Sequence, residues 1–308
     1  MHEMNESQRR IATSFPPEVG KLAVVTGSSS GIGFDIALAL ARAGADVIVA
    51  GKHTADGHEA LARIRPLAPQ ALVRFEKLDL ERLASVADFA CRLMKAGRPI
   101  DLLINNACTL VLMKRELTAD GFERHLATNF LSHFALTAQL LPLLRACKQP
   151  RVLQLTSTGR HHGQIDLEDL QLEKGYTPLR AYSQSKLAMM IFAVELQRQS
   201  DARGWGLSGN SAQPIGAKAA LIANATEVTG SISWYRRTLG FSPDQLQGGV
   251  LQTLMETSQQ DSMAAKSLVD LIGPTVPEAL DMRVLDPTMG RRLWDTATEL
   301  TRIVWPEN

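Results

Sequence analysis

Lys21-Leu-Ala-Val-Val-Thr26-Gly27-Ser28-Ser29-Ser30-Gly31-Ile32-Gly33 is an apolar run that ends in a glycine- and serine-rich loop and then opens into helical sequence. The apolar part reads as a buried β-strand. Its glycines let a backbone approach a pyrophosphate closely. The helix N-terminus beyond them supplies N–H donors and the positive end of a dipole. A Gly/Ser turn alone is weak. Its position at the first strand–helix junction of a βαβ unit carries the dinucleotide reading. The candidate cofactor contacts in this loop are Gly27, Ser29, Ser30, Gly31, Ile32 and Gly33.

The same alternation continues outward. Residues 46–50, 71–75, 100–104 and 151–156 read as further strands, and 54–64, 83–96 and 179–199 as helices. Residues 118–146 read as one long helix, with an interruption near Pro142. A sixth strand is expected near 206–213, although GLSGNSAQ is poor strand material, and 266–272 is a candidate last strand. Residues 246–256 and 289–303 read as helices. Near-continuous apolar strands between helices imply a parallel sheet covered on both faces. The expected fold is α/β: one Rossmann-type doubly wound domain with a mostly parallel sheet of about seven strands and helices on both faces. Residues 1–20 form a polar lead-in, residues 21–308 the domain, and 215–245 a variable lid over the substrate.

Composition narrows the partners. The chain has 308 residues, is 45% hydrophobic and 21% charged, and carries a formal net charge of +1. Such a balance draws it toward neither nucleic acid nor anionic lipid. No stretch reaches the ~18 apolar residues of a spanning helix. The polar first 20 residues lack a signal-peptide core. Cys91, Cys108 and Cys147 are odd in number and lack ligand spacing, which suits a reducing, cytoplasmic setting. No metal site is expected, because the seven histidines show no ligand spacing joined to Cys, Asp or Glu.

Tyr182 and Lys186 lie four residues apart on the 179–199 helix, and so on one face, about one turn apart. An ammonium near a phenol favours the phenolate and lowers its pKa, so the phenol can pass a proton near neutral pH. Ser157 closes the fifth strand, at the sheet edge where ligands bind in open α/β folds. Asp79-Leu80 and Asn106-Ala107 follow the third and fourth strands at that same edge. Asn129 lies in the long helix, as a helix-bending residue or a proton-relay element. The second strand ends without the acid that usually holds an NAD ribose, and Lys52 follows it. A lysine there can pair with a 2′-phosphate, so NADP(H) is preferred over NAD(H).

Taken together, TGSSSGIG, Asp79, NNAC, Asn129, Ser157 and YSQSK resemble the short-chain dehydrogenase/reductase family over roughly residues 20–215. The 25 residues from Ser157 to Tyr182, Asn129-Phe-Leu-Ser-His-Phe134, Arg160-His161-His162 and Arg292-Leu293-Trp294 resemble the branch of retinol dehydrogenases and light-dependent protochlorophyllide reductases. The resemblance implies a tetrad. Tyr182 would be general acid or base, Lys186 would tune it and hold the nicotinamide ribose, Ser157 would bond the substrate oxygen, and Asn129 would place a relay water. It also implies that Pro214 lies against the cofactor. Three positions depart from the family pattern. Cys108 replaces a glycine, Pro214 is followed by Ile215 with Gly216 one place late, and Lys52 stands where this branch has arginine.

The expected function is an NADP(H)-dependent oxidoreductase acting on a carbonyl or alcohol of a lipophilic small molecule. One alternative is reduction of a conjugated C=C bond. Another is a nucleotide-binding protein of low activity with a regulatory or scaffold role. The family implies a homo-oligomer, dimer or tetramer, pairing the long helix after Thr118 with the Tyr182 helix; Leu187, Met190, Phe192 and Leu196 are apolar enough for such a face, and core burial explains them equally well.

Overall fold

β1 (Leu22–Thr26) is buried on both sides. Leu22 and Val24 enter one core, Ala23 and Val25 the other. The period of two, with no polar face, is what a central parallel strand requires. The computed structural model describes residues 17–109, 112–212 and 282–307. After β1 come α1 (Gly31–Arg42), β2 (Asp46–Gly51), α2 (Thr54–Ile64), β3 (Val73–Lys77), α3 (Leu83–Ala96) and β4 (Leu102–Asn105). A π-helix (Leu126–Leu131) then runs into α4 (Ser132–Arg145). β5 (Arg151–Leu155), α5 (Pro178–Arg203), β6 (Ser208–Ala212), a short α6 (Met282–Leu285) and α7 (Pro287–Thr301) follow.

All six described strands are parallel, in the order β3-β2-β1-β4-β5-β6. The order reverses between β1 and β4, so both adjoining loops open at one crevice on the carboxyl edge. The Rossmann-type architecture is therefore as expected, with six strands among the described residues. The candidate strand at 266–272, the helix at 246–256, the lid at 215–245 and Pro214 lie outside the described residues.

Two expectations change. The long helix does not begin at Thr118. A bridge pairs Leu117 with Glu123, and Gly121 closes a turn there at φ +83°. The Glu123 carboxylate then accepts the His125 and Leu126 N–H groups, so the helix starts behind it. Buried side-chain capping outweighs the apolar periodicity that suggested an earlier start. Pro142 sits inside α4 without ending it.

The sixth strand forms from Ser-Gly-Asn-Ser-Ala because α5 packs closely onto it. A Cβ on Gly209 would stand 2.7 Å from the Ala193 carbonyl oxygen. The Gly209 N–H donates to Gln197 Oε1 at 2.9 Å, and Ser200 Oγ donates to the Leu207 carbonyl at 2.8 Å.

Leu187, Met190, Phe192 and Leu196, open to either a second copy or the core, are buried within the chain. Phe192 meets Trp294 and Trp305 at ring separations of 6.0 and 6.3 Å, and those indoles lie 4.3 Å apart. The C-terminal segment thus packs on this aromatic core, and these four residues no longer argue for a homo-oligomer.

Candidate active site

The glycine loop is shaped by contact with the loop after β4. A Cβ on Gly27, at φ +62°, would meet Ala107 Cα at 2.8 Å. One on Gly33 would meet the Gly27 carbonyl oxygen at 2.4 Å and Asn106 Nδ2 at 2.5 Å. Only glycine lets these strands of backbone close together. Asn106 Nδ2 donates to the Thr26 carbonyl at 2.7 Å and the Gly27 carbonyl at 3.1 Å. Its side chain therefore braces the loop.

The loop's open side fits a pyrophosphate. Ser30, at the N-cap of α1, makes no side-chain cap bond, and the first turn has no acid. Ser29 Oγ is buried with no hydrogen-bond partner among the described residues. It lies 2.7 Å from where a Cβ on Gly51 would stand. A Cβ on Gly31 would meet nothing within 4 Å. An uncapped helix end, an orphaned hydroxyl and open space are what an anion at a helix N-terminus needs. Ile32 is half-buried against the α1 side of the core.

Lys52 follows Gly51 at the end of β2. Its Nζ is 2.9 Å from Glu81 Oε2 and 3.5 Å from Asp79 Oδ2. Glu81 also accepts from Arg124 Nη2 at 2.6 Å, and Arg124 Nη1 reaches Glu116 at 2.6 Å. Burial raises the Glu81 pKa, but the hydrogen bonds and charges of Lys52 and Arg124 outweigh it and hold this carboxyl below its usual range. Asp79 Oδ1 accepts the Glu81 N–H at 3.0 Å, and Leu80 is in the core.

α5 carries the Tyr/Lys pair. Thr177 caps it by accepting the Arg180 N–H at 3.1 Å, and Pro178 takes the first helical position. Tyr182 and Lys186 are both buried, with Lys186 Nζ 6.0 Å from the Tyr182 ring centre. Lys186 Nζ also donates to the Leu155 carbonyl at 3.0 Å, at the end of β5. Two residues on, Ser157 Oγ accepts the Gly159 N–H at 3.2 Å. A Cβ on Gly159 would stand 3.1 Å from Tyr182 Cε1 and 3.6 Å from Ser157 Oγ. Gly159 is thus the spacer between the serine and the tyrosine.

Asn129 is fully buried in the π-helix. Its Oδ1 accepts the Thr109 N–H at 2.7 Å and its Nδ2 donates to Ser185 Oγ at 2.8 Å. Ser185 Oγ donates in turn to the Tyr182 carbonyl at 2.8 Å. The π-helix places the Asn129 side chain between the loop after β4 and the turn that carries Tyr182.

Asn129, Tyr182 and Lys186 therefore come together, with Ser157 beside the Tyr182 ring. His161 and His162 are exposed in the 3-10 turn Thr158–His162. Ser185, Gly159, His133 and Thr26 carry contacts that sequence reading left unassigned. Ser185 had a signal, since it lies three residues after Tyr182 on the same helical face. Thr26 and His133 had none beyond lying inside quoted motifs, and Gly159 had none.

The fold and site define a dinucleotide-binding α/β protein with a tyrosine–lysine pair at the carboxyl edge of its sheet. The short chain dehydrogenase model matches residues 21–228, and the chain belongs to that family, in its retinol dehydrogenase-like branch. It is 45% identical over 203 residues to the polyprenol dehydrogenase of Mus musculus, covering 65% of this chain and 60% of that protein. It is 33% identical over 292 residues to retinol dehydrogenase 12 of Bos taurus, covering 93% of this chain and 88% of that one. A solved structure of an uncharacterized protein from Mycobacterium paratuberculosis superposes with a TM-score of 0.73 at 33% identity, covering 96% of this chain and 98% of that one.

Proposed function

We propose that the protein is an NADP(H)-dependent oxidoreductase that moves a hydride between nicotinamide and a carbonyl or alcohol of a lipophilic small molecule. The observation that carries this is the hydrogen-bonded series Asn129–Ser185–Tyr182 carbonyl, with Lys186 one turn on and the glycine loop at the same sheet edge. Gly27, Ser29, Ser30, Gly31, Ile32 and Gly33 would hold the pyrophosphate. Lys52 would face a 2′-phosphate, which supports NADP(H) over NAD(H). Asp79, Leu80, Asn106, Ala107 and Pro214 would complete the seat.

A bound nicotinamide supplies or accepts the hydride. In reduction, Tyr182 gives its phenolic proton to the substrate oxygen. In oxidation it takes that proton back. The Lys186 ammonium favours the phenolate, and Ser157 donates to the oxygen as its charge develops. Burial of Tyr182 and Lys186 strengthens both interactions.

Polyprenol and retinol, named by the relatives above, are both isoprenoid alcohols. The substrate class proposed here is an isoprenoid alcohol or its aldehyde. The free cysteines support a reducing, cytoplasmic setting. Among the described residues no helix is long and apolar enough to cross a membrane.

The test is NADPH oxidation, followed at 340 nm, with farnesal and retinal as probes. Tyr182→Phe should cut kcat by about 10²–10⁴-fold while leaving NADPH affinity within twofold. An unchanged rate in that variant, or no turnover of either probe by the unaltered protein, would overturn the assignment.

A further inference from the structure

Thr26 and Asn129 lie on opposite sides of one imidazole. His133 is fully buried; its Nδ1 is 2.9 Å from the Asn129 carbonyl oxygen and its Nε2 is 2.9 Å from Thr26 Oγ1. A carbonyl only accepts, so Nδ1 must carry a proton. Burial lowers the His133 pKa to about 4. The hydrogen bond to Asn129 opposes that shift and the Lys186 charge adds to it. The ring is therefore neutral near pH 7, and Nε2 accepts the Thr26 hydroxyl proton. The same Oγ1 accepts the N–H groups of Asn106 and Ala107, each at 3.0 Å. Thr26 Oγ1 also lies 3.3 Å from the Ile104 carbonyl, a second acceptor for its single proton; the contact to Nε2 is the shorter, and the tautomer follows from the Asn129 carbonyl at Nδ1.

We propose that His133 is a positioning residue that holds the dinucleotide seat and the proton-transfer group in one register. On one side it fixes Thr26, the residue before Gly27, whose carbonyl also takes the Asn106 side chain. On the other it fixes the peptide of Asn129, whose side chain reaches Ser185 and through it the Tyr182 turn. An apolar residue would fill this volume at lower desolvation cost. A neutral imidazole bonded at both nitrogens is distinguished by joining the glycine loop directly to the π-helix, two elements otherwise linked by hydrogen bonds through the loop after β4. The inference rests on the oxidoreductase reading above.

Two variants separate the two ends. His133→Asn keeps a donor near Nδ1 and loses the acceptor for Thr26. His133→Gln keeps an acceptor near Nε2 and loses the donor to Asn129. NADPH affinity is read by calorimetry without substrate, and kcat with farnesal. His133→Asn should weaken NADPH binding about tenfold with kcat within twofold. His133→Gln should leave binding within twofold and lower kcat about tenfold. Thr26→Val should reproduce the binding loss of His133→Asn, and Thr26→Ser should restore it. Equal effects of the two His133 variants on both quantities, or a lowered melting temperature with both quantities unchanged, would overturn the proposal. An unaltered protein that binds NADPH yet turns over no aldehyde sinks the oxidoreductase reading instead. The binding arm then decides this one alone: it stands if His133→Asn and Thr26→Val lose affinity and His133→Gln does not, and falls otherwise.

Discussion

The Tyr182 ring rests against Gly159, where even a single added carbon would stand 3.1 Å from Cε1. The 3-10 turn is therefore bare at its second residue because the tyrosine occupies that space. A Cβ contact this short must displace the ring by a few tenths of an ångström.

Gly159→Ala should lower kcat/KM with farnesal several-fold, and Gly159→Val about 10²-fold, since a misplacement near 1 Å at a reacting group costs about that much. NADPH affinity should stay within twofold, because an added carbon at Gly159 meets the Tyr182 ring and Ser157 and not the glycine loop. Steady-state kinetics beside calorimetry decide it. Full activity in Gly159→Val would show that the ring has room to move.

Gly33→Ala should loosen the cofactor seat. Its Cβ would lie 2.4 Å from the Gly27 carbonyl oxygen, which is backbone and cannot rotate away. The expected result is loss of measurable NADPH binding and a destabilisation of about 1–3 kcal/mol in urea unfolding. Gly31→Ala is the contrast. Its Cβ meets open space in the ligand-free chain, though φ is +57° there. It should lose affinity at a strain cost of about 1–2 kcal/mol. If Gly33→Ala binds NADPH as tightly as the unaltered protein, the loop is not the seat.

On the proposed NADP(H) reading, Glu81 would compete with a 2′-phosphate for Lys52. Glu81→Gln removes one negative charge 2.9 Å from Lys52 Nζ and releases Arg124 as well. The ratio of NADPH to NADH affinity should rise several-fold, and Lys52→Ala should lower it by a similar factor. Lys52 is 42% exposed, so both effects should shrink as salt rises from 0.05 to about 0.5 M. Identical ratios in all three proteins would remove Lys52 from the cofactor site.

His133 sets part of the acid limb of stability. Its pKa falls from 6.5 to about 4 in the folded chain, first through burial. Between those values the unfolded chain binds more protons, so stability drops as pH falls from about 6.5 to about 4 and is complete above that window. The contribution is on the order of 3 kcal/mol. Urea unfolding from pH 4.5 to 7 should therefore give a shallower slope in His133→Gln than in the unaltered protein. Parallel slopes would mean that His133 is not the group responsible.

Much of the fold was legible because its signals are local. The apolar run Leu22–Thr26, the glycines at 27, 31 and 33, and the helix at Leu83–Ala96 each state their own conformation. The Tyr182–Lys186 pair was legible because four residues is one helical turn. The start of the helix before Asn129 was not, because it depends on a buried Glu123 carboxylate accepting two N–H groups behind an antiparallel bridge. β6 was expected near 206–213 from the order of elements and not from its own residues; Ser-Gly-Asn-Ser-Ala lies there as a strand with α5 pressed against Gly209.

The sequence by itself determined a parallel α/β sheet, a glycine-rich loop at its first strand–helix turn, and a Tyr/Lys pair on one helical face. Periodicity, backbone freedom and helical spacing act within a few residues and need no partner. Tertiary structure alone decided how those groups are held: Asn129 against Ser185, Gly159 against Tyr182, and His133 between Thr26 and Asn129. Those contacts join residues as far as 107 positions apart, and a hydrogen bond or a steric limit at that separation exists only once the chain has folded.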